Sequence, residues 1–204
     1  MRFFKWKMFI ITSFVCLSPI LLGMALWNKL PDIMAIHFNV YGVADNFASK
    51  GFVVYALPLL MVAVQGFCCF VTDINAYKHS VGKKLDCVTK WIIPCITVAL
   101  QIITLGYGLG WNMDMRKVIV FIVAVIFLVI GNYIPKLNYV KNFDIGTEKA
   151  RKINRFIGYE TVIMGLVFLV SIFLPPISTV VSLFMLIPYT VVGIVYSIVI
   201  VKKH

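Results

Sequence analysis

Long apolar runs alternate with short polar segments along the whole chain. Six runs stand out, at about 8–27, 52–72, 91–111, 118–134, 156–174 and 177–201. A helix rises about 1.5 Å per residue, so roughly 20 apolar residues cross about 30 Å of hydrocarbon. The pattern predicts six membrane-spanning helices. Pro175-Pro176 divides the last two runs and predicts a tight hairpin, because proline cannot continue a helical hydrogen-bond ladder. The first run follows Arg2, Lys5 and Lys7, as a signal sequence would. Its apolar stretch is longer than a signal core, and no small-x-small cleavage site follows near Trp27-Asn28, so it is expected to stay as an anchor. The longest intervening segments, 28–50, 73–90 and 135–155, are too short to build cores of their own. The expected fold is an all-α integral membrane protein: one polytopic domain over residues 1–204, a bundle of about six transmembrane helices.

Composition agrees. The 204 residues are 61% hydrophobic and 13% charged, with a mean hydropathy of +0.96; a soluble domain of this size could not hide so much apolar surface. Charge then orients the chain. Fifteen of the 19 Lys and Arg fall in the N-terminus, 73–90, 135–155 and the C-terminus, leaving only Lys29, Lys50, Arg116 and Lys117 for the other side. The positive-inside rule therefore predicts cytoplasmic termini, basic cytoplasmic loops at 73–90 and 135–155, and an outer loop at 28–50. Topology accounts for the net charge of +11 without a direct nucleic-acid partner, and contact of the basic loops with membrane lipid is expected. Cys16, Cys68, Cys69 and Cys95 lie in spans and Cys87 in an inner loop, with no C-x-x-C. That usage argues against a disulfide framework or a zinc site.

The outer loop breaks the monotony. Leu30 to Asp45 sets His37, Asn39, Gly42, Asp45 and Asp32 among apolar residues. Gly42 permits a positive-φ turn after Asn39-Val40-Tyr41, and Ser49 is placed to cap the second span. Ile33, Met34, Ile36, Phe38, Val40, Tyr41 and Phe47 make the segment too apolar for a freely solvated loop, so it is expected to pack on the helix ends or lie at the interface. In one reading His37, Asp45, Asp32 and Asn39 form a polar pocket for a peptide or ion. In the other His37 hydrogen-bonds a nearby carbonyl and pins the loop. One His with scattered carboxylates lacks the ligand spacing of a metal site, and none is expected.

Within the spans, Glu160 reads as the only acid. Ionisable groups in hydrocarbon mark function by default, but its place near the inner end suggests pairing with Arg155 or Lys152 by snorkelling. Gln65 and Gln101 are expected to hydrogen-bond between helices. Gly106-Tyr107-Gly108-Leu109-Gly110 lacks the G-x-G-x-x-G spacing of a phosphate loop and suggests close packing or local flexibility. Thr147-Glu148-Lys149-Ala150-Arg151-Lys152 predicts a short surface helix running into the fifth span. There is no H-E-x-x-H, no G-x-S-x-G and no paired glutamates; the expectation is a protein without catalytic residues or cofactor.

Two patches carry a resemblance. Leu30-Pro31, His37-Phe38-Asn39, Gly42, Asp45 and Ser49-Lys50, followed by a span containing Pro58, are similar to the signature segment of the SdpI-like bacterial membrane proteins. In that family a Leu-Pro, a His-aromatic-Asn, a Gly and an Asp recur in this order between the first two helices. A second patch resembles the family's later motif: Gly131-Asn132-Tyr133-Ile134-Pro135-Lys136, then Asn142, Ile145-Gly146 and Asn154-Arg155-Phe156-Ile157-Gly158. One departure is visible: Ile145-Gly146 runs straight into Thr147-Glu148-Lys149, without the family's Arg-x-Pro-Trp-Thr segment.

The resemblance implies a multi-pass protein of the bacterial plasma membrane that protects its producer against a secreted killing peptide and signals by drawing a transcriptional repressor to the membrane. By position, His37, Asn39, Gly42 and Asp45 belong to the outer signature, and Gly131, Asn132, Pro135 and Lys136 to the inner one. The leading expectation is a non-enzymatic immunity protein that binds a hydrophobic antimicrobial peptide, or shields its target, through the outer loop. The alternatives are a membrane-tethered sensor that holds a cytoplasmic repressor on its basic loops, and a small transporter or transporter subunit.

Overall fold

The computed structural model describes residues 4–79, 83–136 and 147–202. Its helices are α1 (Trp6–Ala25), α2 (Leu57–His79), α3 (Lys83–Gly108), α4 (Met115–Tyr133), α5 (Thr147–Ser171), α6 (Ile177–Phe184) and α7 (Leu186–Lys202), with an antiparallel hairpin of β1 (Ile33–Phe38) and β2 (Ala44–Ser49) between α1 and α2. Six helical stretches are long and apolar enough to cross a membrane: Trp6–Ala25, Phe52–Tyr77, Asp86–Gly108, Met115–Lys136, Glu148–Ser171 and Ile177–Lys202. The predicted six-span helical fold is therefore observed, and it is consistent with a multi-pass membrane protein.

The boundaries differ in instructive ways. Segment 73–90, which reads as a loop from its charges, is helical over 73–79 and 83–90, because Asp73, Asp86 and Lys90 neutralise one another and need no exit into water. Segment 28–50 folds into a 3-10 turn at Trp27–Lys29 and the hairpin. The helix predicted after Thr147 is continuous with the fifth span. Asn142 and Ile145-Gly146 lie outside the described residues. By its contacts the chain forms two compact units, Met1–Ile74 with Asp86–Met115, and Asn75–Leu85 with Arg116–His204.

The first unit packs Leu30, Met34, Val53, Val54 and Leu105 together, bordered by Leu26, Trp27, Leu57 and Leu109. The chain enters α2 through a π-helical turn, Phe52–Ala56, whose i→i−5 pattern is seen in Leu57 N–H donating to the Phe52 carbonyl. Pro58 is next in that ladder and has no N–H to give, which orphans the carbonyl of Val53. Gln101 Nε2 donates to it at 2.8 Å. Gln65 is similarly committed: its Nε2 donates to Thr12 Oγ1 at 2.8 Å and to the Lys90 carbonyl at 2.9 Å, tying α1, α2 and α3 together.

The second unit centres on Val120, Ala124, Met164 and Phe168, with Phe127, Leu186 and Tyr189 against them. Lipid tails are as apolar as Leu, so helices in a bilayer associate through close packing more than through apolar burial. Small residues supply the closeness here. A Cβ on Gly131 would stand 2.8 Å from the Val162 nitrogen, and one on Gly158 would stand 2.9 Å from the Gly131 carbonyl oxygen. Arg116, buried, closes the far end of α5: its guanidinium donates to the carbonyls of Ser171 (3.2 Å) and Ile172 (3.3 Å) and to Thr179 Oγ1 (3.1 Å). A cation over the last carbonyls of a helix meets their unsatisfied acceptors and the negative end of the dipole. The sixth span breaks at Met185 between α6 and α7, where Pro188 can offer no N–H to Phe184.

Candidate functional site: the β-hairpin and its anchors

The hairpin is built by the residues that the outer signature singles out. Asn39 Oδ1 accepts from the backbone N–H of Tyr41 (3.0 Å) and Val43 (3.1 Å), and the Gly42 N–H donates to the Asn39 carbonyl at 2.9 Å. Gly42 sits at φ 79°, where an L side chain is strained. Asn39 and Gly42 thus shape the tip. Gly42→Ala is expected to cost about 1–2 kcal/mol, read as faster amide hydrogen exchange confined to 33–49, with the helices unchanged.

His37 and Asp45 face each other below the tip, with Nδ1 and Oδ1 2.5 Å apart, both side chains well exposed. A carboxylate only accepts, so Nδ1 carries the shared proton and Nε2 points away from the pair. Asp32 is elsewhere, at the hairpin base, where Lys50 Nζ lies 2.8 Å from its carboxylate and the Lys50 N–H donates to its carbonyl at 2.9 Å. The hydrogen bond and charge of Lys50 hold the Asp32 carboxyl below its ordinary value. With the folded value depressed, whatever this link contributes is present at neutral pH and is lost as pH falls through that value. Lys50 also lies 5.0 Å above the Trp27 ring. The structure therefore brings His37 and Asp45 together, gives Asn39 to the turn, and separates Asp32 from them.

The hairpin is anchored by its first strand. Met34 and Ala35 are buried, and Gly108 leaves room for the Met34 methyl: a Cβ there would be 2.6 Å from it. Phe38 meets Tyr107 edge to face at 4.9 Å. Ser49 Oγ accepts from the Phe52 N–H at 3.3 Å and caps the next helix, as its position predicts. Other apolar side chains of the hairpin are open: Ile33, Tyr41, Val43 and Phe47 are each more than half exposed.

The inner motif also meets in space. Gly131 and Gly158 come together with Pro135 against Gly158, while Lys136 Nζ donates to Asn132 Oδ1 at 3.4 Å and lies 4.9 Å above the Tyr133 ring. This geometry is that of a helix-packing joint.

Two expectations about charge are corrected by the structure. Glu160 is not the only acid in a span: Asp73 and Asp86 lie in helices and are buried with Lys90, which is fully enclosed. Lys90 Nζ is 2.5 Å from Asp73 and 2.9 Å from Asp86, and Lys5 Nζ reaches Asp86 at 2.7 Å. The i,i+4 spacing of Asp86 and Lys90 is the one signal of this cluster that the sequence carries. Nor does Glu160 form an ion pair with Arg155 or with Lys152, which instead meets Glu148 at 2.7 Å; Glu160 Oε2 is buried with no hydrogen-bond partner. Among the described residues no group of three or more His, Cys, Asp or Glu could hold a metal ion.

Residues 14–62 match the domain of unknown function DUF1648. The match runs from within α1 through the whole hairpin into α2, so it takes in His37, Asn39, Gly42, Asp45 and Asp32 and leaves out the inner motif. No curated protein and no solved structure matches the chain.

Proposed function

We propose that this protein is a non-enzymatic immunity protein of the bacterial plasma membrane, with the hairpin on the outer face as its receptor for a hydrophobic antimicrobial peptide. The observation that carries the reading is that the hairpin, anchored by buried Met34 and Ala35, leaves Ile33, Tyr41, Val43 and Phe47 exposed along with a polar His37–Asp45 pair. Exposed apolar patches of this kind serve contact with a membrane or a partner. A two-stranded sheet also has edges on which an extended peptide adds by main-chain hydrogen bonds, with side chains giving specificity. The resemblance of Leu30-Pro31, His37-Phe38-Asn39, Gly42 and Asp45 to the SdpI-like signature supports the same reading.

The test is survival of sensitive bacteria that express the chain, challenged with a panel of membrane-active peptide toxins. Wild type is expected to protect against at least one. His37→Ala, Asp45→Ala and Phe47→Ser, matched for membrane level, are expected to lose about tenfold or more of that protection, the scale of about 1.4 kcal/mol of binding. Protection that is absent across the panel, or indifferent to all three substitutions, overturns the proposal.

A further inference from the structure

We propose that the groove between α5 and α7 is a binding site for a lipophilic cation, with Glu160 as its countercharge. This goes beyond the peptide-receptor reading and uses different residues. Glu160 sits near the middle of α5, roughly 15–20 Å from either helix end at 1.5 Å per residue. Its Oε2 is shielded from solvent and has no hydrogen-bond partner. It lies against Gly193 of α7, where a Cβ would stand only 3.2 Å from that oxygen. Gly193 in turn is a wall of an open groove of about 300 Å³, together with Ile157, Tyr189, Thr190, Ser197 and Ile198.

The polar groups around the groove are already engaged. Thr190 Oγ1 donates to the Leu186 carbonyl and Ser197 Oγ to the Gly193 carbonyl, each at 2.7 Å. The Tyr189 hydroxyl and Thr161 Oγ1 are 2.9 Å apart. Two lysines of the same helix are held by other partners: Lys152 on Glu148 at 2.7 Å, Lys149 on the Val201 carbonyl at 3.4 Å. Glu160 Oε2 stands behind the Gly193 wall and has no hydrogen-bond partner. Ionising a carboxyl group among apolar side chains is costly; a bound cation offsets that cost by taking the place of the carboxyl proton, which is released.

The groove selects which cation. A hard metal ion takes six or more oxygens, and the hydroxyls that line this groove are committed to carbonyls or to each other. A compact ammonium would have to shed strong hydration to enter an apolar cleft. A bulky cation with delocalised charge sheds little, fits apolar walls, and meets the Tyr189 ring with a cation–π contact. Ile194 and Ile198, about half exposed, flank the opening, so entry from the bilayer needs no polar channel.

The experiment uses the full chain in lipid nanodiscs with tetraphenylphosphonium as the probe and tetraphenylborate, of the same shape and opposite charge, as its control. Saturable binding of the cation alone is expected, weakened about tenfold or more in Glu160→Gln. In wild type, dicyclohexylcarbodiimide, which attacks carboxyl groups in apolar surroundings, is expected to label Glu160, and tetraphenylphosphonium is expected to slow that labelling at least severalfold. The labelling result decides the matter even if Glu160→Gln does not fold. Equal binding of both ions, cation binding unchanged in a folded Glu160→Gln, or labelling indifferent to the cation overturns the proposal. Loss of toxin protection in the hairpin variants bears on none of these readouts.

Discussion

Lys90→Met is expected to destabilise the protein by about 3–5 kcal/mol, the cost of breaking a buried ion pair by removing one partner. Lys90 is fully enclosed and reaches Asp73 at 2.5 Å and Asp86 at 2.9 Å. Methionine keeps the length and apolar stem but deletes the charge, which leaves two enclosed carboxylates with only Lys5 to share. The Lys5 side chain is half exposed, so Lys5→Ala should cost about 1 kcal/mol or less. The damage in Lys90→Met is therefore charge imbalance, and it should be repairable. Adding Asp73→Asn restores neutrality, with Lys5 and Asp86 still paired, and is expected to recover a large part of the loss. Reversible unfolding in mixed detergent micelles, followed by circular dichroism, measures these three variants, and Asp73→Asn alone completes the cycle that gives the coupling of Lys90 to Asp73. If Lys90→Met costs no more than Lys5→Ala, the cluster is screened by water and does not hold the helices together.

The same cluster shows where sequence reading succeeds and where it stops. Spans are legible because hydropathy sums over twenty positions, and a break such as Pro175-Pro176 has a local cause. The turn at Asn39-Val40-Tyr41-Gly42 and the Ser49 cap are readable for the same reason: each follows from one residue's stereochemistry. Asp73 and Lys90 are not, because a charge at the edge of an apolar run is taken to mark the membrane boundary. That rule fails when opposite charges from separate helices neutralise one another, which is a tertiary fact. The strands are hidden by a different cause. Register shifts on either side of His37 break the two-residue alternation that announces a strand, and burial does not alternate either: Met34 and Ala35 are both buried while Ile36 and His37 are both exposed. A span counted from 156 puts Glu160 near a helix end. The helix begins at Thr147, which moves the carboxylate to its middle and away from the lysine expected to pair with it. The candidate site is thus legible as a set of residues but not as a geometry: His37 and Asp45 do meet, while Asp32 belongs to Lys50 and Asn39 to the turn.

Gly158→Val is the second large effect, expected at about 3 kcal/mol, the upper part of the usual range for overpacking. A Cβ at Gly158 would lie 2.5 Å from the Pro135 ring and 2.9 Å from the Gly131 carbonyl oxygen, and one at Gly131 would lie 2.8 Å from the Val162 nitrogen. The Gly131 oxygen is backbone, so no rotamer change relieves that clash and α4 must move away from α5. Gly110 supplies the contrast: it has φ 83°, but a Cβ there would meet nothing within 4 Å. Gly110→Ala should therefore cost only the conformational penalty, about 1–2 kcal/mol. Pro135→Ala in the Gly158→Ala background separates the two contacts, because it removes the ring but leaves the Gly131 carbonyl in place; a partial rescue is expected. Thermal unfolding of the purified variants ranks them. Gly158→Val no worse than Gly110→Ala would mean that α4 and α5 part at little cost. The Gly131–Pro135 patch would then need a role other than packing, and the family resemblance there would have to be read as a contact surface for a partner.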